Sequence, residues 1–227
     1  MADLTSSEVA RRIAVGERYV RELLTERILS GRRLPSGEWL IDSDSVARFE
    51  VSRRPAGRAL SPGAAWAVVF ELSGVRPPTP LPSATYARVR QRIRASSALT
   101  LSLVVAGRTK RHQYRSANSA LAQAGLIATA RAASGAIDSG LLSDDRRVAG
   151  YVPIGVSVED YARSHFMVPD PAGPDTLYEN TAPGGLTAVL PGVVAADLSV
   201  STDQRERGSG LRVLDELRDA WLQAHTR

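Results

Sequence analysis

The chain of 227 residues contains no cysteine, three histidines and a single lysine, Lys110. The absence of cysteine excludes disulfides, thiolate metal sites and a thiol nucleophile. His112, His165 and His225 are far apart in the sequence, and no two of them have the i, i+4 spacing that binds a metal from one helix face. No stretch approaches the roughly 18 consecutive apolar residues that a membrane span needs. We therefore expect no metal, no cofactor, no membrane partner and a cytoplasmic location.

The sequence motifs that mark common enzyme classes are also missing. There is no GxSxG, no P-loop and no GxGxxG pattern. The acidic pairs Asp144 with Asp145 and Glu159 with Asp160 are sequence neighbours, so their side chains diverge and are more typical of loops and helix caps than of a catalytic pair. The sequence therefore predicts no catalytic residue and a protein that is not an enzyme.

The basic residues, 28 arginines and one lysine, are unevenly distributed. Residues 1–60 carry 11 basic and 9 acidic side chains, residues 61–130 carry 9 and one, and residues 131–227 carry 9 and 14. The strongest positive field therefore comes from residues 61–130. Such a field attracts a polyanion or an acidic protein surface. The acidic last part argues against a protein that coats nucleic acid along its whole length.

Two helices are predicted at the start of the chain. Thr5 and Glu8 have the spacing of a capping box, which predicts a helix that begins at about Ser6. Its periodic apolar pattern is interrupted at Gly16, and a second amphipathic run begins at Glu17. The second run places Val20, Leu23 and Leu24 on its inner face.

A hairpin and a third helix are predicted next. Residues 28–34 and 38–41 are two short runs of branched and aromatic type, and the Pro-Ser-Gly sequence between them favours a hairpin turn. Asp42 is a suitable N-cap for the helix that follows. The order helix, turn, helix, hairpin, helix predicts a small winged helix-turn-helix.

This segment resembles the winged helix-turn-helix of excisionase and MerR-type DNA-binding domains. The resemblance rests on VGERYVRELL, on RILSGRRLPSGEWLID and on the following SVARF. It implies that the second helix enters the major groove of double-stranded DNA while the hairpin, the wing, lies on the backbone or minor groove. The alternative is that these side chains form an ordinary solvated helix face. The DNA contacts that the resemblance implies are Gly16, Glu17, Arg18, Tyr19, Arg21, Glu22, Arg32 and Arg33.

The remainder of the chain predicts a second, larger domain. We place the winged helix-turn-helix at 1–51, a basic Pro/Gly linker at 52–62, and a helical segment followed by an α/β or α+β domain at 63–227. The fold class is therefore mixed α/β. The apolar run LTLSLVV after Ser97 is interpreted as a buried helix, although a strand fits it as well.

A basic segment, RTKRHQYR, occupies residues 108–115. Its cations and its tyrosine ring suit nucleic acid, and they suit a carboxylate-rich protein groove equally well. A third interpretation is an exposed edge strand that carries charge to prevent aggregation. The partner or nucleic-acid contacts proposed for this segment are Arg108, Lys110, Arg111 and Arg115.

The second domain resembles the C-terminal domain of AbiEi-type antitoxins, on the runs SGAIDSGLLSDDRRVAGYVP and VLPGVVAADLSVSTDQRERGSGLRVLDELRDAW. That resemblance implies a repressor of its own operon that neutralises a nucleotidyltransferase toxin. The expected partners are operator DNA, this toxin and a second copy of the chain in a homodimer. Two other functions stay open: a ligand-responsive regulator similar to MerR, and an interaction module whose basic middle binds an acidic partner.

Overall fold

A computed structural model describes residues 3–53, 60–144 and 146–225. The chain divides into two compact units, Met1–Ala59 and Leu60–Arg227. Most of the linker predicted at 52–62 lies outside the described residues. Both units combine helices and strands, so the mixed α/β class is confirmed. Among the helices in these ranges, none has the length and apolar character that a membrane span requires.

Unit 1 contains the predicted elements in the predicted order. A short strand β1 precedes the first helix, which begins at Ser6 as expected. The elements are β1 (Asp3–Thr5), α1 (Ser6–Arg12), α2 (Glu17–Thr25), β2 (Gly31–Arg33), β3 (Trp39–Asp42) and α3 (Ser43–Arg53).

The three strands of unit 1 form an antiparallel sheet in the order β1-β3-β2. Leu4 of β1 pairs with Ile41 of β3, and Arg32 of β2 pairs with Leu40. The helices pack on this sheet around a small buried core, because each apolar stripe must be removed from water. The core residues are Val9, Ala10, Ile13, Val20, Leu23, Leu24, Leu29, Ile41 and Val46.

Unit 2 begins with three helices and continues as an alternation of strands and helices. The first part consists of α4 (Pro62–Leu72), α5 (Ser83–Ala95) and α6 (Ala98–Ala106). The rest consists of β4 (Arg111–Ser116), α7 (Ser119–Ala124), β5 (Ile127–Ala128), a 3₁₀ helix (Ala130–Ala136), β6 (Ala149–Tyr151), α8 (Val158–Ser164), β7 (Met167–Pro169), β8 (Asp175–Tyr178), α9 (Pro191–Ser199) and α10 (Gln204–Ala224).

The five strands of unit 2 form one mixed sheet in the order β5-β6-β8-β4-β7. The pairs are antiparallel except for β6 with β8, which run parallel. Strand β4 pairs with β8 over residues 111–114 and with β7 over residues 114–116. The interpretation of residues 108–115 as an edge strand is therefore wrong for the second half of β4, whereas the first half has a strand neighbour on one side only.

The main core of unit 2 lies around α4 and α9, which are apolar on nearly all sides and buried. A helix with this composition is stable only when other elements surround it. Helix α10 approaches α9 closely at Gly210, where an added Cβ would lie 2.7 Å from the Leu198 backbone carbon. Gly210 therefore permits this helix contact. The run LTLSLVV belongs to α6, so its interpretation as a helix is confirmed.

Candidate nucleic-acid interface

Helix α1 begins with the capping box that the sequence predicts. The Glu8 amide donates to Thr5 Oγ1 at 3.3 Å, and the Thr5 amide donates to Glu8 Oε2 at 2.7 Å. The hydrogen bonds from the Thr5 backbone and side chain lower the pKa of the Glu8 carboxyl. Glu8 is thus charged at neutral pH, where its negative charge stabilises the positive end of the helix.

Helix α2 has one buried face and one exposed face. Val20, Leu23 and Leu24 are buried in the core of unit 1. Three or four residues separate positions on the same helix face, so the intervening positions point outward. The exposed side chains are Glu17, Arg18, Tyr19, Arg21 and Glu22, which are the residues that the sequence predicts as DNA contacts on this helix.

The two arginines of α2 form ion pairs within the helix. Arg18 Nε lies 3.2 Å from Glu22 Oε1, and Arg21 Nη2 lies 3.4 Å from Glu17 Oε2. The Arg18 side chain is 94% exposed and that of Arg21 is 64% exposed. Exposed pairs at this spacing contribute only about 0.3–0.5 kcal/mol, so each guanidinium can exchange its carboxylate for a phosphate or a base edge at little cost.

The first turn of α2 is open to solvent. Gly16 is the N-cap and forms no side-chain cap hydrogen bond, since it has no side chain. An added Cβ at Gly16 would have no atom within 4 Å among the described residues. The first amides of a helix have no partner within the helix, so together with the helix dipole they favour an anion at this position.

The hairpin of unit 1 carries Arg32 and Arg33 on β2. Arg32 Nη2 donates to Asp3 Oδ2 at 3.4 Å, and Arg33 Nε donates to the Gly37 carbonyl oxygen at 3.3 Å. Adjacent residues in a strand point to opposite faces of the sheet. The two arginines therefore do not share a face, although both are exposed.

Gly31 sets how closely the hairpin packs in unit 1. An added Cβ at this position would lie 2.8 Å from the Leu40 carbonyl oxygen and 3.1 Å from Leu24 Cδ2 of α2. A side chain at residue 31 would therefore displace the hairpin from its partner strand and from α2. Because Gly31 packs this closely against α2, the hairpin that carries Arg32 and Arg33 is held in place relative to α2.

Arg108 does not lie on the surface of unit 2, and its inclusion among the surface contacts is wrong. Its side chain is 1% exposed and forms an ion pair with Asp197, which is 2% exposed. Its Nη2 also donates to the Tyr151 hydroxyl at 2.8 Å, and its Nη1 donates to the Val105 carbonyl oxygen at 2.9 Å. The guanidinium lies 5.3 Å from the Trp66 ring centroid. A buried charge needs such partners because desolvation is costly.

The Asp197 carboxylate is the centre of this buried network. Asp197 Oδ2 accepts hydrogen bonds from Thr129 Oγ1 at 2.7 Å and from the Tyr151 hydroxyl at 2.9 Å. Burial raises the pKa of Tyr151 well above its ordinary value, and the Asp197 charge adds to this effect despite the opposing charge of Arg108. Tyr151 therefore stays protonated and remains a hydrogen-bond donor to Asp197.

The other three cations of the basic segment are exposed, and we call Lys110, Arg111 and Arg115 the cationic strand. Residues 111 and 115 lie on the same face of β4, about 13 Å apart at the rise of an extended chain. Arg111 Nη1 donates to the Val200 carbonyl oxygen at 3.4 Å, and Arg115 Nη2 lies 2.9 Å from Asp170 Oδ2. His112 points to the other face and pairs with Glu179 at 3.1 Å.

A further cleft in unit 2 was not anticipated from the sequence. It has a volume of about 280 Å³ and lies between the end of α4, the proline-rich connector and α5. The sequence indicates the connector, VRPPTPLP, but gives no sign that cations from two elements meet beside it. We call it the α4–α5 cleft, and its lining residues are Glu71, Arg76, Pro77, Pro80, Tyr86 and Arg90.

The described part of the chain contains no group of three or more His, Asp or Glu side chains arranged to hold a metal ion. The exposed cations described above are the arginines of α2 and of the hairpin in unit 1 and, separately, the cationic strand in unit 2. Comparison with protein-family models, with curated proteins and with solved structures found no match to this chain.

Proposed function

We propose that the protein is a sequence-specific DNA-binding repressor of transcription, in which unit 1 is a winged helix-turn-helix and α2 is its recognition helix. The observation that carries this proposal is the exposed face of α2. It presents Arg18, Tyr19 and Arg21 outward from a helix that three buried side chains hold in place. A short helix with one anchored face and one charged face fits the width of the major groove.

The side chains on that face suit both kinds of DNA contact. A guanidinium binds the O6 and N7 atoms of guanine with two hydrogen bonds, and it binds phosphate oxygens equally well. Glu22 supplies an acceptor of the kind that reads the amino group of cytosine. Base contacts give specificity while phosphate contacts position the protein, so we assign the base contacts to α2 and the phosphate contacts to Gly16 and the hairpin.

The ion pairs of α2 favour specific over non-specific binding. In the free protein Glu17 and Glu22 partly neutralise Arg21 and Arg18. Glu17 and Glu22 also repel the phosphate backbone, and only in the operator do base contacts of α2 offset this repulsion. We therefore propose that unit 1 binds random DNA weakly and its operator tightly.

A second proposed role belongs to unit 2, which we assign to partner binding in an antitoxin. The cationic strand supports it, because three exposed cations lie on or next to one strand in a sheet that otherwise packs against helices. An acidic surface of a protein partner complements such a strand. In the antitoxin interpretation this partner is a nucleotidyltransferase toxin, and DNA binding by unit 1 represses the operon that encodes both proteins.

Two substitutions of Gly16 distinguish an effect on the stability of α2 from an effect on DNA binding. Aspartate and serine are both better N-caps than glycine, by a few tenths of a kcal/mol. Gly16→Asp should weaken operator binding by about tenfold or more, because its carboxylate would meet the phosphate at the start of α2. Gly16→Ser should bind within about twofold of the original chain. Dissociation constants from fluorescence anisotropy with labelled operator DNA measure both.

Thermal unfolding of the two Gly16 variants is the control, since both should unfold at or above the temperature of the original chain. Equal operator affinity for Gly16→Asp and Gly16→Ser would contradict the placement of a phosphate at this helix start.

A further inference from the structure

We propose that the α4–α5 cleft binds a small organic monoanion, namely a carboxylate attached to an apolar ring or chain. The inference concerns unit 2 alone and does not depend on DNA binding by unit 1. It rests on three features of the cleft: a fixed acidic floor, an arginine without a partner, and an apolar wall.

The floor of the cleft is the Glu71 carboxylate at the end of α4. Its side chain is 13% exposed, and Arg90 Nη2 lies 3.5 Å from Oε1. The Trp221 indole Nε1–H donates to Oε2 at 3.0 Å. Both carboxylate oxygens thus have partners from other elements. Glu71 is held in place and keeps Arg90 at the edge of the cleft.

Arg76 supplies the second cation of the cleft. It is exposed, and within the described residues it has no hydrogen bond or ion pair, unlike Arg90. Pro77 follows it and is buried. A residue before proline is restricted to extended backbone conformations, so the start of the Arg76 side chain is fixed at the cleft. A free guanidinium in this position presents the planar donor pair that matches a carboxylate.

The charge of the cleft selects among anions. Two guanidiniums and one carboxylate give a net charge of one positive unit. A monoanion neutralises this charge. A phosphate dianion would leave an uncompensated charge close to Glu71, where repulsion is strong. A cation would meet two guanidiniums for one carboxylate.

The remaining wall is apolar and favours a hydrocarbon body on the ligand. Pro77, Pro80 and the ring of Tyr86 line it. Small-molecule sites commonly combine such walls with a few polar groups that fix orientation. At about 280 Å³ the cleft is at the lower end of the usual size range, so it suits a ligand with a single ring.

The test uses benzoate as the probe and the full chain labelled with ¹⁵N. The Trp221 indole resonance reports on the cleft because its Nε1–H binds Glu71, whereas that of Trp66 donates to Thr181. Benzoate titrated into the millimolar range should shift the Trp221 resonance along a saturating curve. Benzamide, which is neutral and of the same shape, and inorganic phosphate, which has no apolar body, should leave it in place.

Arg76→Gln should weaken benzoate binding by about tenfold or more, because hydrogen bonds to charged groups are strong. Arg88→Gln is the matched control, since Arg88 is an exposed arginine of α5 that donates to Ala84 and Thr85 and does not line the cleft. The spectrum of each variant shows whether it is folded. The proposal is overturned if benzoate leaves the Trp221 resonance unmoved, if benzamide shifts it equally, or if Arg76→Gln binds benzoate as the original chain does.

Discussion

Asp197→Asn should lower the free energy of unfolding of unit 2 by about 3–5 kcal/mol, because it leaves the Arg108 guanidinium buried without a charged partner. Arg108 cannot lose its proton to escape this cost, because a guanidinium stays protonated in proteins. The substitution also removes the Asp197 charge that holds the pKa of Arg108 above its ordinary value against the effect of burial. The same substitution also weakens the acceptor for Thr129 and Tyr151. Such a loss is a large fraction of the roughly 5–15 kcal/mol by which native proteins are stable.

Urea unfolding measures this effect, followed by the fluorescence of Trp66 and Trp221 in a Trp39→Phe background so that unit 2 alone is observed. Asp219→Asn is the control, because Asp219 pairs with Arg218 on the surface of α10 and exposed pairs contribute about 0–1 kcal/mol. Replacing both partners, with Arg108→Met and Asp197→Leu, should recover part of the loss, because no unpaired charge remains although Thr129 and Tyr151 lose their acceptor. Equal midpoints for Asp197→Asn and Asp219→Asn would show that the buried pair is not needed for stability.

The double variant Arg18→Ala, Arg21→Ala should lose about 2–6 kcal/mol of operator binding free energy. Each arginine that binds a base with two hydrogen bonds contributes about 1–3 kcal/mol, and the range given is the sum of the two contributions. Stability should change little, since both side chains are exposed. Binding titrations with operator DNA measure the loss.

The control for that double variant is Arg88→Ala, Arg163→Ala, which removes the same charge from two exposed helix positions of unit 2. Arg163 pairs with Asp160 on its own helix at 2.9 Å, as the arginines of α2 pair with their glutamates. The control should retain operator affinity within about twofold, because it changes only the long-range field. If the two double variants bind operator equally well, α2 is not the recognition helix.

Unit 1 was the part of the chain that the sequence predicted best, because its signals are local. The capping box of Thr5 and Glu8, the interruption at Gly16 and the Pro-Ser-Gly turn each act within four residues. Local signals determine where a helix or hairpin begins without reference to the remainder of the chain.

Unit 2 was predicted less well where contacts join distant parts of the sequence. Arg108 occurs in a run of exposed cations, and only the fold brings Asp197, 89 residues away, to its side. The α4–α5 cleft depends likewise on Glu71, Arg90 and Trp221 from three helices. A pattern of residue types indicates which side chains are charged, but the tertiary packing decides which of them are buried together.

The strands of unit 2 show the same limitation. A segment of alternating polar and apolar residues predicts a strand, but it does not say how many neighbours the strand has. The basic segment was interpreted as a possible edge, and yet β4 pairs with β8 through Tyr178 and with β7 through Val168. Arg111 and Arg115 therefore lie about 13 Å apart on one face of a strand that has two neighbours over part of its length.

Sequence-specific binding of operator DNA is the central claim, and a titration of the full chain against the DNA upstream of its own gene tests it most directly. The same titration with a scrambled DNA of equal length, at two salt concentrations, separates base contacts from phosphate contacts. We expect a preference for the upstream DNA that persists at the higher salt concentration. Weak binding to both DNAs that disappears as salt rises would contradict the claim. It would show that the arginines form a surface that binds polyanions without sequence preference.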